Sequence, residues 1–218
     1  MLRSPRPVAL LALLCAAWML GACSLSRPTV AKRSFLLGAE RSGATTTSTA
    51  PNLPHGAAPP ALRVNRFVVA QPFDGRPLVY RAGDLRYEID FYNEFLASPA
   101  TMLTERTMRW LADARLFSAV VPMTSNVHAR HVLEGTVWTM HGDYRNREAP
   151  TATIGIRFLL ARYDGAGPML LDHSFTRTVQ VADHSPDRLV AAFDEALGSI
   201  LGDLEGAIVA ALRNDREP

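Results

Sequence analysis

The last third of this 218-residue chain constrains its fold most, because a long amphipathic helix pattern follows strand-like runs there. From residue 186 onwards, apolar side chains recur at intervals of three and four, which predicts a helix that packs one face on a core. Ser185 and Pro186 are typical of an N-cap and a proline at the first helical position. The apolar stripe comprises Leu189, Phe193, Ala196, Leu197, Ile200, Leu204, Ile208 and Leu212.

Three runs before this helix, residues 130–141, 152–163 and 169–181, predict long strands. The last two are expected to form a hairpin closed by residues 164–167, which read Asp-Gly-Ala-Gly. Alternation of apolar and polar residues predicts one buried face on each strand of the hairpin. The buried positions are expected to be Ile154, Ile156, Phe158 and Leu160 on the first strand, and Met169, Leu171, Phe175, Val179 and Val181 on the second.

The preceding part of the chain predicts shorter elements. Residues 62–69 and 77–81 indicate two strands, and residues 85–91 indicate a third. Ser98 is predicted to cap a helix that ends near Leu116. In the third strand the alternation predicts a buried face made of Leu85, Tyr87, Ile89 and Phe91. The fold class is therefore α+β, an antiparallel or mixed sheet with two main helices packed against it.

The first 22 residues resemble a lipoprotein signal peptide. Arg3 and Arg6 precede an apolar stretch that is shorter than the roughly 20 residues of a membrane span. Residues 20–23 read Leu-Gly-Ala-Cys, which resembles the bacterial lipobox, so we expect cleavage before Cys23 and lipid attachment to its thiol. The alternative is a signal peptide that is cleaved elsewhere, with Cys23 as an ordinary thiol.

Removal of the signal peptide decides several properties of the mature chain. Two arginines and Cys15 are lost, so acidic and basic residues balance and no disulfide can form. A neutral chain with Lys32 as its one lysine does not predict nucleic-acid binding. Ser24 after the cysteine favours the outer membrane, where the acyl chains would anchor the protein on the periplasmic face.

The mature chain divides into two regions. Residues 23–61 contain the lipidated N-terminus, a short strand-like run at 33–37 and a segment from 39 to 61 that is rich in Pro, Thr, Ala and Gly. This segment predicts a flexible loop, because it cannot bury enough apolar surface to offset its ordering entropy. Residues 62–218 form the predicted α+β domain. Spacing alone leaves open whether the run at 33–37 pairs with the main sheet.

The sequence does not assemble a catalytic site. The single lysine excludes a phosphate-binding loop in the folded part, and no Gly-x-Ser-x-Gly elbow is present. His128, His131 and Asp143 could join in a metal or hydrolase site, but a metal needs three or four converging ligands. We expect the histidines to lie at the surface or at a sheet edge, and we expect no enzyme activity, metal or cofactor.

Two sets of residues are candidates for interaction. Tyr92 and Phe95 are aromatic residues before the first helix, and exposed aromatic side chains are enriched at interfaces. The alternative is that both pack under that helix. Gly198, Gly202 and Gly206 lie along one flank of the last helix, where they could allow a close contact between subunits of a homo-oligomer. The alternative is that these glycines have no structural role.

Several short motifs resemble one family. They are Leu20–Cys23, Ser34–Leu37, Leu62-x-Val64-x-x-Phe67, Pro77–Arg81, Tyr87–Phe95, Trp110-Leu111 and Phe117-x-x-Val120. Together they resemble the ABC-type transport auxiliary lipoproteins, which include the paraquat-inducible protein C group. The resemblance spans nearly the whole mature chain.

The resemblance implies a non-catalytic periplasmic lipoprotein of a system that moves lipids between two membranes. Its partners would be an ABC transporter and an MCE-domain protein, and it would dock the MCE protein at the outer membrane. Another class remains open, an outer-membrane assembly or regulatory lipoprotein that assists lipopolysaccharide export or a cell-wall synthase. The sequence names neither the lipid nor the surface that contacts the partner.

Overall fold

The computed structural model describes residues 31–41, 60–163 and 169–215. The predicted signal peptide, Cys23 and the predicted turn at 164–167 lie outside these ranges. The chain divides into two units, Met1–Ala31 and Lys32–Pro218, and the fold below is that of the second unit. None of the helices in the described ranges is long and apolar enough to cross a membrane.

Within the described residues, nine strands form one sheet and two α-helices accompany it. A single 3-10 turn, Gln71–Phe73, lies between the third and fourth strands. In chain order the elements are β1 (Arg33–Phe35), β2 (Leu62–Val64), β3 (Val68–Val69), β4 (Pro77–Arg81), β5 (Tyr87–Phe95), α1 (Pro99–Asp113), β6 (Val120–Pro122), β7 (His131–Asp143), β8 (Thr151–Arg162), β9 (Leu171–Gln180) and α2 (Pro186–Asn214).

Strand β7 organises the sheet. Along one edge it pairs antiparallel with β8, and β8 pairs antiparallel with β9. Along its other edge β2, β3 and β4 follow one another, all parallel to it. The sheet extends beyond β2 through β6, and beyond β4 through β5 and β1. The predicted α+β class is confirmed, with a mixed sheet in which parallel pairings accompany the antiparallel ones.

The run predicted as one strand at 62–69 forms two strands. Between β2 and β3 the chain leaves the regular ladder, and Phe67 N donates instead to Thr104 Oγ1 of α1 at 2.9 Å. Gly135 of β7 makes room for the Phe67 ring, because a Cβ on that glycine would lie 2.7 Å from it. The ring contacts Phe158 edge-on, so this irregular segment contributes to the core.

The short run near the N-terminus belongs to the sheet. Strand β1 pairs parallel with the end of β5, and Arg33 lies opposite Asn93. Two residues after the strand, Leu37 is buried in the same core as both helices. This pairing answers the question that spacing left open, since residues 32–41 pack with the predicted 62–218 domain.

Both helices begin where the sequence predicts. The Ser98 hydroxyl accepts a hydrogen bond from Thr101 N, and the Ser185 hydroxyl accepts one from Arg188 N. A proline follows each cap, because its missing N–H costs nothing at the first helical position. The apolar stripe predicted for α2 is fully buried. The first helix ends at Asp113, slightly earlier than expected.

The two helices cover one face of the sheet, which we call the inner face. Helix α2 packs on β8 and β9, and α1 packs on β3 and β6. All four apolar positions predicted for the inward face of β8 are buried there. The predicted inward face is confirmed for Phe175 and for Val181 just after β9, whereas Met169, before the strand, is half-exposed. Leu171 and Val179 are partly buried against the same core. The opposite side of the sheet is the outer face.

The prediction of a buried face on residues 85–91 is wrong. Leu85 is 97% exposed, Ile89 69% and Phe91 72%. Pairing places Tyr87 opposite Arg81 and Ile89 opposite Val79, and Arg81 in turn lies opposite Asp143 on the outer face. Alternation shows that one face of this strand is apolar, but among the described residues no helix covers that face.

Candidate interaction surface

Apolar side chains from three strands lie exposed on the outer face. Val68 of β3 is 64% exposed, Tyr87 and Ile89 of β5 are 44% and 69% exposed, and Trp138 of β7 is 48% exposed. We call these four residues the outer-face patch. These apolar side chains remain exposed to water in the folded protein. A group of exposed apolar side chains on one face is typical of an interaction site.

A bulge in β7 directs Trp138 outward. The register with β8 shifts between Val137 and Thr139, so the residue between them leaves the regular alternation. Gly155 of β8 lies directly beneath the indole, and a Cβ built on that glycine would lie 2.5 Å from the ring. The ring therefore rests on the backbone of β8, which fixes its position on the surface.

A cleft of about 590 Å³ separates Tyr87 from Trp138. His141 lies in it and is buried, with its ring stacked on Phe73 at 5.8 Å and edge-on to Tyr87 at 5.6 Å. Its Nδ1 hydrogen-bonds with the Thr139 hydroxyl at 2.9 Å. Burial lowers the pKa of His141, while nearby Asp143 opposes this shift. The imidazole is therefore neutral at physiological pH.

Arg81 contributes a positive charge to this aromatic cluster. Its guanidinium carbon lies 5.9 Å from the centre of the Tyr87 ring, and its Nη2 donates to the Asp84 carbonyl at 3.1 Å. Its Nε is buried and has no hydrogen-bond partner among the described residues. Asp143 is engaged elsewhere, since hydrogen bonds from Arg145 lower the pKa of its carboxyl group.

Tyr92 lies at the surface, three residues after Ile89 of the patch. Its side chain is 45% exposed, and its ring meets Phe91 edge-on at 5.2 Å. The ammonium of Lys32 lies 5.3 Å from the centre of the Phe91 ring. Asp90 fixes the local backbone by accepting hydrogen bonds from the amides of Tyr92 and Asn93 at 2.8 and 2.9 Å. Tyr92 is thus available for contact.

Phe95 does not lie at the surface. It is 3% exposed, and its ring centre is 6.3 Å from that of Phe193 on α2. The expectation that it could contact a partner is corrected, because the backbone irregularity near Asp90 turns the end of β5 towards the core. It packs in the core against Phe193 of α2.

The glycine flank of α2 meets open space. A Cβ built on Gly198 or Gly206 would have no heavy atom within 4 Å, and one on Gly202 would lie 3.9 Å from Trp110. No close contact with the other described elements therefore requires these glycines. Self-association through this flank stays a prediction.

Two of the histidines are buried rather than exposed. His131 is 2% exposed and His141 6%, so their expected surface or sheet-edge placement is wrong. His131 Nε2 lies 3.7 Å from Asp215 Oδ2, which is an ion-pair distance and not a hydrogen bond. Within residues 31–41, 60–163 and 169–215, no three His, Cys, Asp or Glu side chains are grouped to hold a metal ion.

Sequence reasoning missed most of the patch. Ile89 lies on the strand face that the alternation predicts to be buried, Val68 lies in a run that predicts only a strand, and Trp138 lies in a strand with mostly apolar neighbours. The bulge that exposes Trp138 is visible only in the pairing with β8. Gly155, in the middle of an apolar strand, was the available signal, because a strand glycine often marks a close approach by another group.

Comparison with solved structures agrees on the fold. Protein XCC0632 from Xanthomonas campestris superposes with a TM-score of 0.64 at 20% identity, over 74% of this chain and 92% of that one. An uncharacterized protein superposes with a TM-score of 0.61 at 17% identity, over 82% of this chain and 99% of that one. No curated protein sequence matches the chain at a significant level. These likenesses establish the fold alone.

The match of the amino-acid sequence to a family model identifies the family. The model of the family described as "ABC-type transport auxiliary lipoprotein component" matches residues 40–204, from the segment after β1 to the last turns of α2. The match spans well over half of the chain and includes every strand from β2 to β9. The chain belongs to the ABC-type transport auxiliary lipoprotein component family.

Proposed function

We propose that this protein is a non-catalytic lipoprotein of the outer membrane that docks the periplasmic MCE-domain protein of an ABC transporter. The system would move lipid between the two membranes. Family membership supports the auxiliary role in transport. The observation that carries the docking role is the outer-face patch, because an auxiliary component without chemistry of its own acts through a contact surface.

The composition of the patch supports a protein partner. Tyr and Trp are enriched in the buried centres of protein interfaces, where their large rings supply much of the binding energy. Tyr87 and Trp138 line the same cleft, and Ile89 and Val68 add further exposed apolar side chains on the outer face. Arg81 and the Thr153–Thr178 hydroxyl pair provide polar groups at the border of this area.

The anchor is part of the proposal. Cys23 would carry the lipid, and residues 24–31 would connect it to Lys32, where the described unit begins. Incorporation of labelled palmitate into the wild-type protein but not into Cys23→Ser tests this step. We expect Cys23→Ser to lose the label, and a labelled variant would contradict lipidation at Cys23.

Co-purification tests the docking role. The wild-type protein and the double variant Ile89→Asp, Trp138→Ser are isolated from detergent-solubilised envelopes, and the bound proteins are identified by mass spectrometry. We expect the wild type to retain an MCE-domain protein and the double variant to lose it. The matched control is Glu105→Gln on α1, an exposed position remote from the outer face, which should retain the partner.

Two outcomes would contradict the proposal. Retention of an MCE-domain protein by both variants would exclude the outer-face patch as the docking site. Capture of a cell-wall synthase or a lipopolysaccharide-export protein, in place of an MCE-domain protein, would favour the regulatory or assembly class of lipoprotein.

A further inference from the structure

A second cavity lies on the other side of the sheet, where β4 and β5 extend beyond the cover of the helices. Its volume is about 450 Å³, within the range of small-molecule sites. Pairing of Tyr80 with both Gly142 and Glu88 places the cavity on the inner face. The cavity is separate from the outer-face patch, and none of the four patch residues lines it.

One wall of this cavity is aromatic and rigid. The Tyr80 and Tyr144 rings meet edge-on at 5.2 Å, and His184 meets Tyr144 at 5.7 Å. The Tyr80 hydroxyl donates to Asp90 Oδ2 at 2.8 Å. Asp90 also accepts from the Asn93 amide side chain at 2.8 Å, so this carboxylate is saturated by the protein itself. Burial alone would raise the pKa of Asp90, but the hydrogen bonds from Asn93, Tyr80 and Tyr92 lower it.

The charged side chains around the cavity include an arginine that has no acidic partner in the described part of the chain. Arg145 is engaged by Asp143 at 2.7 Å and by Asp84 at 2.9 Å. Arg86 pairs loosely with Glu88 at 3.5 Å and donates a hydrogen bond to the Ala82 carbonyl at 3.3 Å, and the Arg86 and Glu88 side chains are exposed. Arg147 has no hydrogen bond or ion pair with the described residues, although it lines the cavity. Asp90 is satisfied by neutral donors and Glu88 pairs only loosely with Arg86, whereas the Arg147 guanidinium is free of partners among the described residues.

Tyr144 adds an unsatisfied donor. Its hydroxyl is buried and has no partner among the described residues. Burial raises its pKa, and nearby Asp183 raises it further, so the phenol stays protonated and can donate. A buried hydroxyl without a partner is unfavourable, and a small rotation of the Tyr144 ring would be needed before a ligand oxygen in the cavity could accept its hydrogen bond.

We propose that this cavity binds a phosphate ester. Arg147 and Arg86 would hold the phosphate through charge-assisted hydrogen bonds, and the Tyr80–Tyr144 wall would contact the organic group of the ester. The cavity is larger than inorganic phosphate requires, which favours an ester. The ester is either a phospholipid headgroup, an assignment that rests on the proposed function, or a soluble metabolite.

Calorimetric titration of the full chain in maltoside micelles with sn-glycerol 3-phosphate tests this inference. We expect saturable binding by the wild type and a loss of about tenfold in affinity for Arg147→Gln, the value of one charge-assisted hydrogen bond. The matched control is Arg109→Gln, which removes the same charge from an exposed site on α1 outside the cavity. It should bind like the wild type. Glycerol, which lacks the phosphate, should not bind.

A competition arm identifies the source of the phosphate. Phosphatidylglycerol added to the micelles displaces glycerol phosphate if the cavity takes a lipid headgroup, and leaves it bound if the cavity takes a soluble ester. Both results support a phosphate-ester site. Absence of Arg147-dependent binding by both compounds, or equal losses in Arg147→Gln and Arg109→Gln, would overturn it. The titration uses the purified protein without an MCE-domain partner. Failure of the docking proposal would therefore leave the phosphate-ester result unchanged, and the two proposals can be told apart.

Discussion

Trp110 of α1 donates its indole N–H to Glu205 of α2, with Nε1 2.9 Å from Oε2. The same carboxylate accepts two hydrogen bonds from Arg41, at 3.0 and 2.9 Å. One glutamate therefore links both helices to the segment that follows β1. Eleven residues earlier on α2, Asp194 accepts a hydrogen bond from the backbone amide of Gly38 at 2.7 Å, so two acids of α2 hold this segment.

Glu205→Gln should lower the free energy of unfolding by about 2 kcal/mol near neutral pH, because it leaves Arg41 without its charged partner. The hydrogen bonds from Arg41 lower the pKa of Glu205, burial opposes them, and Trp110 lowers it further. A lowered pKa stabilises the fold above the ordinary value of 4.5, and this contribution is lost as pH falls through the folded pKa.

Urea denaturation at neutral and acidic pH measures this effect. The difference between wild type and Glu205→Gln should shrink on acidification, whereas Glu105→Gln at an exposed position should have little effect throughout. An equal difference at both pH values would show that the charge of Glu205 does not stabilise the fold.

The buried histidines predict a second pH effect of their own. Burial lowers the pKa of both His131 and His141, so the unfolded chain binds protons that the native chain does not. Stability should therefore fall as pH drops below about 6.5, the ordinary histidine pKa. His141→Gln should flatten the part of this dependence that lies below about pH 6.5. If His141→Gln did not alter the slope of stability against pH, the burial of His141 would not be a cause of this pH dependence.

Gly155→Ala should destabilise the protein by about 1–3 kcal/mol, because the new Cβ overlaps the Trp138 ring. Trp138→Ala removes that overlap, so the double variant should lose less stability than the sum of the single variants. Urea denaturation of the four proteins gives the coupling energy. Additive losses would show that the ring does not rest on this glycine.

Gly198→Ala should raise the free energy of unfolding by up to about 1 kcal/mol, because alanine favours the helix and the added methyl meets open space. Urea denaturation checks the gain, and a loss of stability would contradict it. Sedimentation of the same variant tests the predicted self-association, since a shift to a smaller species would indicate that this flank joins two copies.

The elements with regular patterns could be predicted from the sequence. Ser98 and Ser185 cap their helices as expected, and β7, β8 and β9 lie within two residues of their predicted bounds. Helix caps and strand alternation depend on residues that are close together in the sequence, so a pattern reveals them. The order of strands around β7 could not be predicted, because β2, β3 and β4 pair with a partner about 70 residues later in the chain.

The candidate surface was harder to predict, for a physical reason. The alternation at residues 85–91 correctly identifies an apolar face, but the pattern is the same whether a helix of this chain or a separate protein covers it. For Tyr92 and Phe95 the sequence left a surface position and packing in the core open. Tyr92 is 45% exposed and Phe95 3%, because the hydrogen bonds of Asp90 redirect the backbone between the two residues.

Site-specific photocrosslinking in intact envelopes tests the docking claim most directly. A photoreactive residue replaces Ile89 in the outer-face patch, Tyr92 three residues later, or Glu105 on α1 as the control. The account predicts that an MCE-domain protein is captured at Ile89 and Tyr92 and not at Glu105. Capture of that protein at Glu105 alone, or its absence from all three positions, would contradict docking through the outer face.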